Sequence, residues 1–319
     1  MDNETVVDER GPLVSMGMPV YNGEAFIRLA LDSLMAQEYK NFELIISDDA
    51  STDATQQICT EYAAQFSQIK YFRNDVNIGM VRNYDRVLDL STGEYFMWTA
   101  QDDVWEPSYV ATMVQLLSSQ PNAVIAFSDH DNIDEYRRQI KTYPHIFSLP
   151  ADDVYTRLRK YVLQGEHLGR PNFFLGLMRR AAMCEAEGLK RWDDSLWGFD
   201  VVLVFRVLSL GNVALAPQLL FHKRVVSSPS DHINPYASLG WRERFTVCEN
   251  RLKERHNYYR AHNYIIDHID TLSRWEKIKL KAVLYLRATF VYARYILTPC
   301  LVPLTHSPFR KRSIRLPAA

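Results

Sequence analysis

An apolar stretch, then a polar turn, then a helical stretch recurs along the first 130 residues of this chain. The apolar stretches are rich in β-branched and aromatic residues and predict strands at 13–18, 42–47, 69–73, 94–99 and 123–128. Periodic patterns between them predict helices over 24–37, 53–66, 80–90 and 107–119. Strands spaced in this way need right-handed crossovers, which put helices on both faces of a mainly parallel sheet. The sequence therefore predicts a Rossmann-like α/β fold.

Two of the predicted helices carry start signals. Asp53 stands three residues before Gln56, which is the spacing of a capping box. Pro107 stands where a proline of the first helical turn is expected. Both signals predict the residue at which the helix begins.

The turns that follow the predicted strands carry the functional information, because ligands of such sheets bind at the carboxyl ends of the strands. These turns read PVYNGE, DDASTD, NDVNIGM and QDDVWEP in chain order. The second and the fourth each open with two adjacent carboxylates. We expect these four turns to meet at one edge of the sheet.

Asp102 and Asp103 stand where the fourth strand gives way to a loop. Two carboxylates there can bind Mg²⁺ or Mn²⁺, ions that keep several waters and take further oxygens from substrate phosphates. This arrangement suits a nucleoside diphosphate as the leaving group. The alternative is a solvated pair that caps the helix at Pro107.

The first two turns suggest a site for the base of a nucleotide. Tyr21 offers a ring that can lie against a base, and Asn22-Gly23 supplies a sharp turn. At 48–49, a carboxylate can accept from the imide N–H of uracil, while 51–53 offers natural helix caps. Each feature alone also fits an ordinary turn, but together they favour base binding.

The segments VSMGMPVYNGEAFIRLALDSLMAQEYKNFELIISDDASTDAT and NIGMVRNYDRVLDLSTGEYFMWTAQDDVWEP resemble the family 2 glycosyltransferases of GT-A fold. That family contains inverting enzymes that use nucleotide-activated sugars. The resemblance covers residues 13 to about 128 closely and the remainder loosely. It implies transfer of a sugar from a nucleotide-diphosphate donor, with UDP favoured, to a hydroxyl of a saccharide or lipid-linked acceptor.

The resemblance also implies roles for individual residues. It assigns nucleotide binding to Pro19, Tyr21, Glu24, Asp49, Arg82 and Asp102, and metal binding to Asp103 with Asp102 beside it. Thr99 and Gln101 stand where many relatives carry further aspartates, so two carboxylates remain for the Mn²⁺ or Mg²⁺.

An inverting transfer needs a general base on the face of the sugar opposite the diphosphate. In the family an aspartate before a helix of the second half does this, and Asp200 in the segment GFDVVLVF matches it. The alternative role for Asp200 is the N-cap of that helix. Asp193 and Asp194 are further candidates for the base, because relatives often show Glu-Asp where this chain has Phe199-Asp200.

His222, Lys223 and Arg224 follow another predicted strand, where relatives often place a basic segment against the diphosphate. His222 and Arg224 are therefore candidate diphosphate contacts. A solvated loop with three cations is the competing interpretation.

The chain is predicted to divide into a glycosyltransferase domain over 1–235 and a helical C-terminal extension over 236–319. Within the first, 13–128 is the nucleotide-sugar-binding half and 129–235 the acceptor half. Residues 237–297 are predicted to be helical throughout. The tail carries Arg287 and Arg294 among apolar residues and ends in a basic cluster over 310–315. It can pack on the domain or lie on an anionic membrane surface.

Charge and cysteine content restrict the partners and the compartment. The 37 Lys and Arg residues nearly balance the 38 Asp and Glu residues, which argues against nucleic acid. The four cysteines are far apart and the N-terminus lacks signal-peptide features, so we expect a cytoplasmic protein, peripheral to the inner face of the membrane if the tail binds there.

Other enzyme classes fit less well. GxGxxG and GxxxxGK[ST] are both absent from the sequence, which argues against dinucleotide-dependent oxidoreductases and P-loop enzymes. A sugar-1-phosphate nucleotidyltransferase shares the sheet and the carboxylates but begins with a Gly-rich phosphate loop, whereas this first turn is PVYNGE. A non-catalytic nucleotide-sugar or carbohydrate-binding protein remains an alternative.

Overall fold

The computed structural model describes residues 11–143, 150–164, 170–189, 198–225 and 241–301. Its strands are β1 (Val14–Val20), β2 (Phe42–Asp48), β3 (Ile69–Arg73), β4 (Tyr95–Trp98), β5 (Val104–Trp105), β6 (Ala123–Ile133), β7 (Gln139–Tyr143), β8 (Leu177–Arg179) and β9 (Asn212–Arg224). Its helices are α1 (Ile27–Met35), α2 (Thr55–Gln65), α3 (Met80–Asp89), α4 (Tyr109–Ser119), α5 (Val154–Leu163), α6 (Arg180–Glu185), α7 (Phe199–Leu210), α8 (Trp241–Asp267) and α9 (Arg274–Leu301). The five strands and four helices predicted for the first 130 residues are all present.

The strands form one sheet in the order β3-β2-β1-β4-β8-β6-β9-β5, and β7 pairs with β6. Strands β3, β2, β1 and β4 are parallel, with Val14 opposite both Phe42 and Tyr95. Strands β6 and β9 are also parallel, whereas β8 joins β4 to β6 in antiparallel fashion. The predicted α/β fold is confirmed. The parallel half brings the ends of β1, β2 and β4 together at one edge.

The core lies on both faces of this sheet. Strand β2 is buried along its whole length, so both sets of alternating side chains are covered. At the end of β4, Trp98 stacks on Phe174 with ring centroids 4.2 Å apart and donates from its indole nitrogen to the Tyr84 carbonyl oxygen at 3.0 Å. These contacts hold the end of β4, from which the carboxylate turn departs.

The two predicted helix-start signals are wrong in detail. Helix α2 is capped at Ala54, and its Ala54 N–H donates to the Glu24 side chain at 2.9 Å. Asp53 accepts from the Thr55 N–H at 3.0 Å instead of forming a box with Gln56. Helix α4 has Ser108 as its N-cap residue, so Pro107 precedes the helix. The start of α2 is therefore held by Glu24 of the preceding turn instead of by a capping box of its own.

The C-terminal region forms two helices where the sequence predicted one continuous stretch. A capping box begins α9: Ser273 accepts from the Glu276 N–H at 3.3 Å, and Glu276 accepts from the Ser273 N–H at 2.8 Å. Side chains of α8 and α9, including Ile265, Leu280 and Leu284, belong to the same buried core as the sheet. None of the helices in the described part of the chain has the length and apolar character needed to cross a membrane.

Candidate active site

The turns after β1 and β2 are joined by reciprocal hydrogen bonds. The Asn22 N–H donates to the Ser51 hydroxyl at 2.9 Å, and the Thr52 N–H donates to the Asn22 side-chain oxygen at 2.8 Å. The Gly23 N–H donates to the Thr55 hydroxyl at 2.8 Å. Asn22 has a φ of +51°, a conformation that asparagine tolerates better than most residues. The two turns therefore form one rigid unit at the sheet edge.

A cavity of about 120 Å³ opens beside this unit. It is lined by Pro19, Val20, Tyr21, Asp49, Asn77, Met80, Asn83 and Tyr84. Three of the predicted nucleotide-binding residues, Pro19, Tyr21 and Asp49, thus share one pocket. The Tyr21 side chain is 48% exposed, so its ring is accessible to a ligand.

Glu24 and Arg82 lie outside the residues that line this pocket. Glu24 is exposed and binds the Ala54 N–H, so its carboxylate connects the first two turns. Arg82 is exposed on α3, one residue before the pocket-lining Asn83.

Asp49 organises the loop between β3 and α3. One carboxylate oxygen accepts from the Asn74 side-chain amide and the Ile78 N–H, both at 2.8 Å, and the other accepts from the Gly79 N–H at 3.0 Å. Gly79 has a φ of +91°, which favours glycine at this position. Two carboxylate oxygens offer about four acceptor positions, so three donors leave about one for a ligand.

Asp48 has a different role from its neighbour. Its buried carboxylate accepts from the Ser51 N–H at 2.8 Å, the Tyr71 hydroxyl at 2.8 Å and the Arg73 guanidinium at 2.6 Å. Burial disfavours its charge, but these donors outweigh burial and lower the pKa of Asp48. This carboxylate is part of the structural core below the site.

Asp103 is buried, with only 2% of its surface exposed, and this contradicts the interpretation of a solvated capping pair. One carboxylate oxygen accepts from the Arg224 N–H at 2.8 Å, while the other is buried and has no hydrogen-bond partner within the described part of the chain. Burial and the charge of Asp102 raise the pKa of Asp103 to about 7. Burial also raises the pKa of Asp102, and the charges of Lys223 and Arg224 only partly offset the effect.

Arg224 ends β9 beside these carboxylates, and it is buried rather than part of a solvated loop. Its guanidinium donates to the carbonyl oxygens of Asp102 at 2.9 Å, Asp134 at 2.7 Å and Glu135 at 3.1 Å. Its Nη2 is buried without a partner among the described residues. Burial lowers the pKa of Arg224. The guanidinium also lies over the Phe26 ring, 4.6 Å from its centroid, so this arginine is fixed beside the carboxylates.

His222 and Lys223 are also held in place. The two ring nitrogens of His222 contact Asp131 at 2.7 Å and Glu106 at 2.9 Å. The Lys223 ammonium donates to the Asn172 side-chain oxygen at 3.0 Å. His222 therefore connects β5, β6 and β9, while Lys223 lies near enough for its charge to lower the pKa of Asp103.

Tyr84 links the pocket to the carboxylates, and the sequence analysis missed it. It lines the cavity, and its ring centroid lies 5.9 Å from that of Phe199. Burial raises the pKa of Tyr84, and so do the charges of Asp103, Asp102 and Asp200. Its place on the apolar face of α3, between Val81 and Leu88, made it resemble an ordinary core residue.

Asp200 lies in the first turn of α7 and is partly buried. Gly198 is the N-cap residue, with a φ of +76°, so the N-cap interpretation of Asp200 is wrong. A Cβ at Gly198 would lie 3.1 Å from the Tyr258 ring, so glycine also suits the packing of α8 against this turn. Asp193 and Asp194 lie outside the described residues.

Asp102 and Asp103 have the oxygen ligands that a divalent cation prefers, but two carboxylates alone are fewer ligands than such an ion takes. Within the part of the chain that the structure describes, no group of three or more His, Cys, Asp or Glu side chains is arranged to hold a metal ion. Asp103, next to Asp102, nevertheless has a buried oxygen to which no described residue donates a hydrogen bond. A hard cation that also takes phosphate oxygens fits such a partial site.

Sequence comparisons match this region to known proteins. The family model described as "Glycosyl transferase family 2" matches residues 15–184, more than half of the chain. An uncharacterized glycosyltransferase of Rickettsia typhi is 34% identical over 125 residues, which cover 39% of this chain and 38% of that protein. The match therefore spans less than half of that relative's length.

Solved structures share the fold at low identity. S. aureus TarS 1–349, solved in complex with UDP-GlcNAc, has a TM-score of 0.65 and 16% identity, covering 91% of this chain and 76% of that chain. The mannosyltransferase PcManGT from Pyrobaculum calidifontis, solved with GDP-Man and Mn²⁺, has a TM-score of 0.51 and 16% identity, covering 91% and 84%.

Proposed function

The chain belongs to glycosyl transferase family 2, and from that premise we propose that it is an inverting, metal-assisted enzyme. It transfers a sugar from a nucleoside diphosphate, UDP being favoured, to a hydroxyl of a saccharide or lipid-linked acceptor in polysaccharide or glycoconjugate synthesis. One observation carries the proposal: Tyr21 and Asp49 line one pocket with Tyr84, and the Tyr84 ring lies 5.9 Å from that of Phe199, the residue before Asp200.

The pocket suits a uracil base. The half-exposed ring of Tyr21 can lie against the base, and the remaining acceptor position on Asp49 can take its imide N–H. The likeness of fold to TarS, which was solved with UDP-GlcNAc, agrees with a UDP-linked donor.

The diphosphate is expected to lie between the carboxylates and the end of β9. Asp102 and Asp103 would hold Mn²⁺ or Mg²⁺, which supplies positive charge to the departing diphosphate. Arg224 and Lys223, whose charges both act on Asp102, add positive charge from this chain. Because His222 uses both ring nitrogens within the protein, its role is to hold β5, β6 and β9 together.

Asp200 is the general base in this mechanism. Its carboxylate takes the proton of the acceptor hydroxyl while the acceptor oxygen bonds to the anomeric carbon and the bond to the diphosphate breaks. The first turn of a helix stabilises negative charge, which suits a carboxylate waiting for a proton. A single displacement of this kind inverts the anomeric carbon.

A thermal-shift panel of UDP-, GDP- and dTDP-sugars, with and without Mn²⁺, tests the proposal. We expect UDP-sugars with Mn²⁺ to raise the unfolding midpoint most, because a ligand that binds only the folded state stabilises it. Asp103→Asn should lose the Mn²⁺-dependent part of this increase. If no nucleotide sugar raised the midpoint, or if Asp103→Asn kept the full Mn²⁺ effect, the proposed donor site would be wrong.

A further inference from the structure

Helix α9 has two different apolar faces. Through Leu280, Leu284 and Ala288, each at most 3% exposed, it packs on the rest of the protein. Elsewhere on its surface, between 274 and 289, four large apolar side chains face solvent: Trp275 is 72% exposed, Ile278 47%, Tyr285 54% and Leu286 71%. Contiguous exposed apolar residues on a folded domain indicate an interaction surface.

These four side chains lie along one strip of the helix. At 3.6 residues per turn, positions 275, 278, 285 and 286 fall within an arc of about 100°. The buried positions 280, 284 and 288 fall in an arc roughly opposite to it. Exposed Ala282 lies in the middle of the strip. The outward strip is thus separate from the packing face.

The charges beside the strip are positive. Arg274 and Lys279 are both exposed, and helical spacing puts one on each side of the strip. Glu276 is the only acidic residue between 274 and 289, and its carboxylate binds Ser273. Next to Arg274, on the same border of the strip, Lys281 pairs with Asp267 at 2.6 Å. The strip therefore combines aromatic and aliphatic side chains with an exposed cation on each border, and no acidic residue of α9 lies on it between 274 and 289.

We propose that this strip of α9 binds the surface of an anionic lipid bilayer, with the helix lying in the plane of the interface. Tryptophan and tyrosine favour the headgroup level, leucine and isoleucine favour the acyl boundary, and lysine and arginine favour anionic headgroups. A second copy packed strip against strip fits less well, because Asp267 at the border already pairs with Lys281 and no acid on the strip itself would face Arg274 and Lys279. This membrane contact goes beyond the proposed transfer reaction.

Arg287 faces inward, whereas the sequence left open that it lies on a membrane surface. Its guanidinium donates to the Gln164 carbonyl oxygen, so it serves packing rather than the lipid surface. The side chain of Arg294 and the basic cluster at 310–315 lie outside the described residues.

Sedimentation with vesicles tests the proposal without donor, metal or acceptor. The full-length protein should sediment with equimolar phosphatidylcholine and phosphatidylglycerol vesicles and bind pure phosphatidylcholine more weakly. Trp275→Ser with Leu286→Ser should reduce the partition coefficient about tenfold or more. Arg274→Glu with Lys279→Glu should reduce it at least about fivefold per cation removed. Free glycerol phosphate should not displace the protein, because the apolar contacts need a bilayer.

Ile140→Ser is the matched control. Ile140 lies on β7 and is 54% exposed, close to the value for Ile278, so its loss should leave vesicle binding unchanged. Circular dichroism melts should be alike for all variants, since the changed side chains face solvent. Donor-induced thermal shifts should also be unchanged, which separates failure of this proposal from failure of the proposed function.

Three results would overturn the membrane proposal. The wild type could fail to sediment with anionic vesicles, or the serine double variant could sediment as well as the wild type. Light scattering could instead detect a concentration-dependent dimer that the serine variant abolishes, with no vesicle binding; the strip would then be a self-interface.

Discussion

Replacing Asp103 with asparagine should stabilise the metal-free protein at neutral and higher pH while changing its stability little in acid. Asp103 is 2% exposed, and one of its oxygens has no hydrogen-bond partner among the residues that the structure describes. Burial and the charge of Asp102 raise its pKa to about 7, and Lys223 and Arg224 only partly oppose this. Ionising Asp103 in the folded protein is therefore unfavourable.

The size of the effect follows from the two pKa values. In the unfolded chain the carboxyl ionises near 3.8, so between about pH 4 and pH 7 the folded protein binds more protons. The wild type therefore loses stability as the pH rises through this range. A gap of about 3 pKa units, at about 1.4 kcal/mol each, limits the stability gained by Asp103→Asn to about 4 kcal/mol. Asparagine is neutral at every pH and can still accept from the Arg224 N–H.

Urea unfolding with a chelator present, at about pH 4 and about pH 8, measures this effect. The free energy of unfolding of Asp103→Asn should exceed that of the wild type at the higher pH only. Asp48→Asn is the control of opposite sign. Its donors lower the pKa of Asp48, so the wild-type carboxylate stabilises the fold above its unfolded pKa, and this contribution is lost as the pH falls. Asp48→Asn should therefore be destabilised at the higher pH.

Equal stability of the wild type and Asp103→Asn at both pH values would refute the reasoning. It would mean that the Asp103 carboxylate has water or another partner in solution. The oxygen of Asp103 would then no longer support a cation at this position.

Three further predictions concern ligands. Tyr21→Ala should weaken UDP binding by calorimetry through loss of the ring contact, whereas unchanged affinity would remove the base from this pocket. Asp49→Ala should weaken UDP binding and also lower the melting temperature, because the Asn74, Ile78 and Gly79 donors lose their acceptor; unchanged binding of every nucleoside diphosphate would contradict this. Mn²⁺ affinity, followed by titration calorimetry, should fall as the pH drops below about 7, since Asp103 must lose its proton; a flat profile would contradict it.

Much of the donor half could be predicted from sequence because its determinants are local. Apolar β-branched stretches and helical patterns identified every strand and helix of residues 13–128 except the short β5, and the parallel order brought Tyr21, Asp49 and Asp103 to one edge. Their residue types then suggested the chemistry. A site can be predicted from sequence in this way where each strand is followed directly by its own functional turn.

The electrostatics of the site could not be predicted in this way. The unpartnered oxygen of Asp103 depends on β9, which returns some 120 residues later and places the Arg224 N–H at its other oxygen. The cap of α2 likewise comes from Glu24, 30 residues away from Ala54. Tyr84 was missed because an aromatic residue on an apolar helix face indicates core packing. Ser273 and Glu276 did carry a local signal for the start of α9, and it was overlooked.

The transfer activity of Asp200→Asn tests the central claim most directly. Asp200 lies two residues after the N-cap residue Gly198, so asparagine at position 200 removes no cap. With a UDP-sugar donor and a working acceptor, the variant should keep its donor affinity and lose about 10²- to 10⁴-fold in turnover. The wild-type product, read from its NMR coupling constant, should have the anomeric configuration opposite to the donor. Near-wild-type turnover in Asp200→Asn, or a product of retained configuration, would contradict the account.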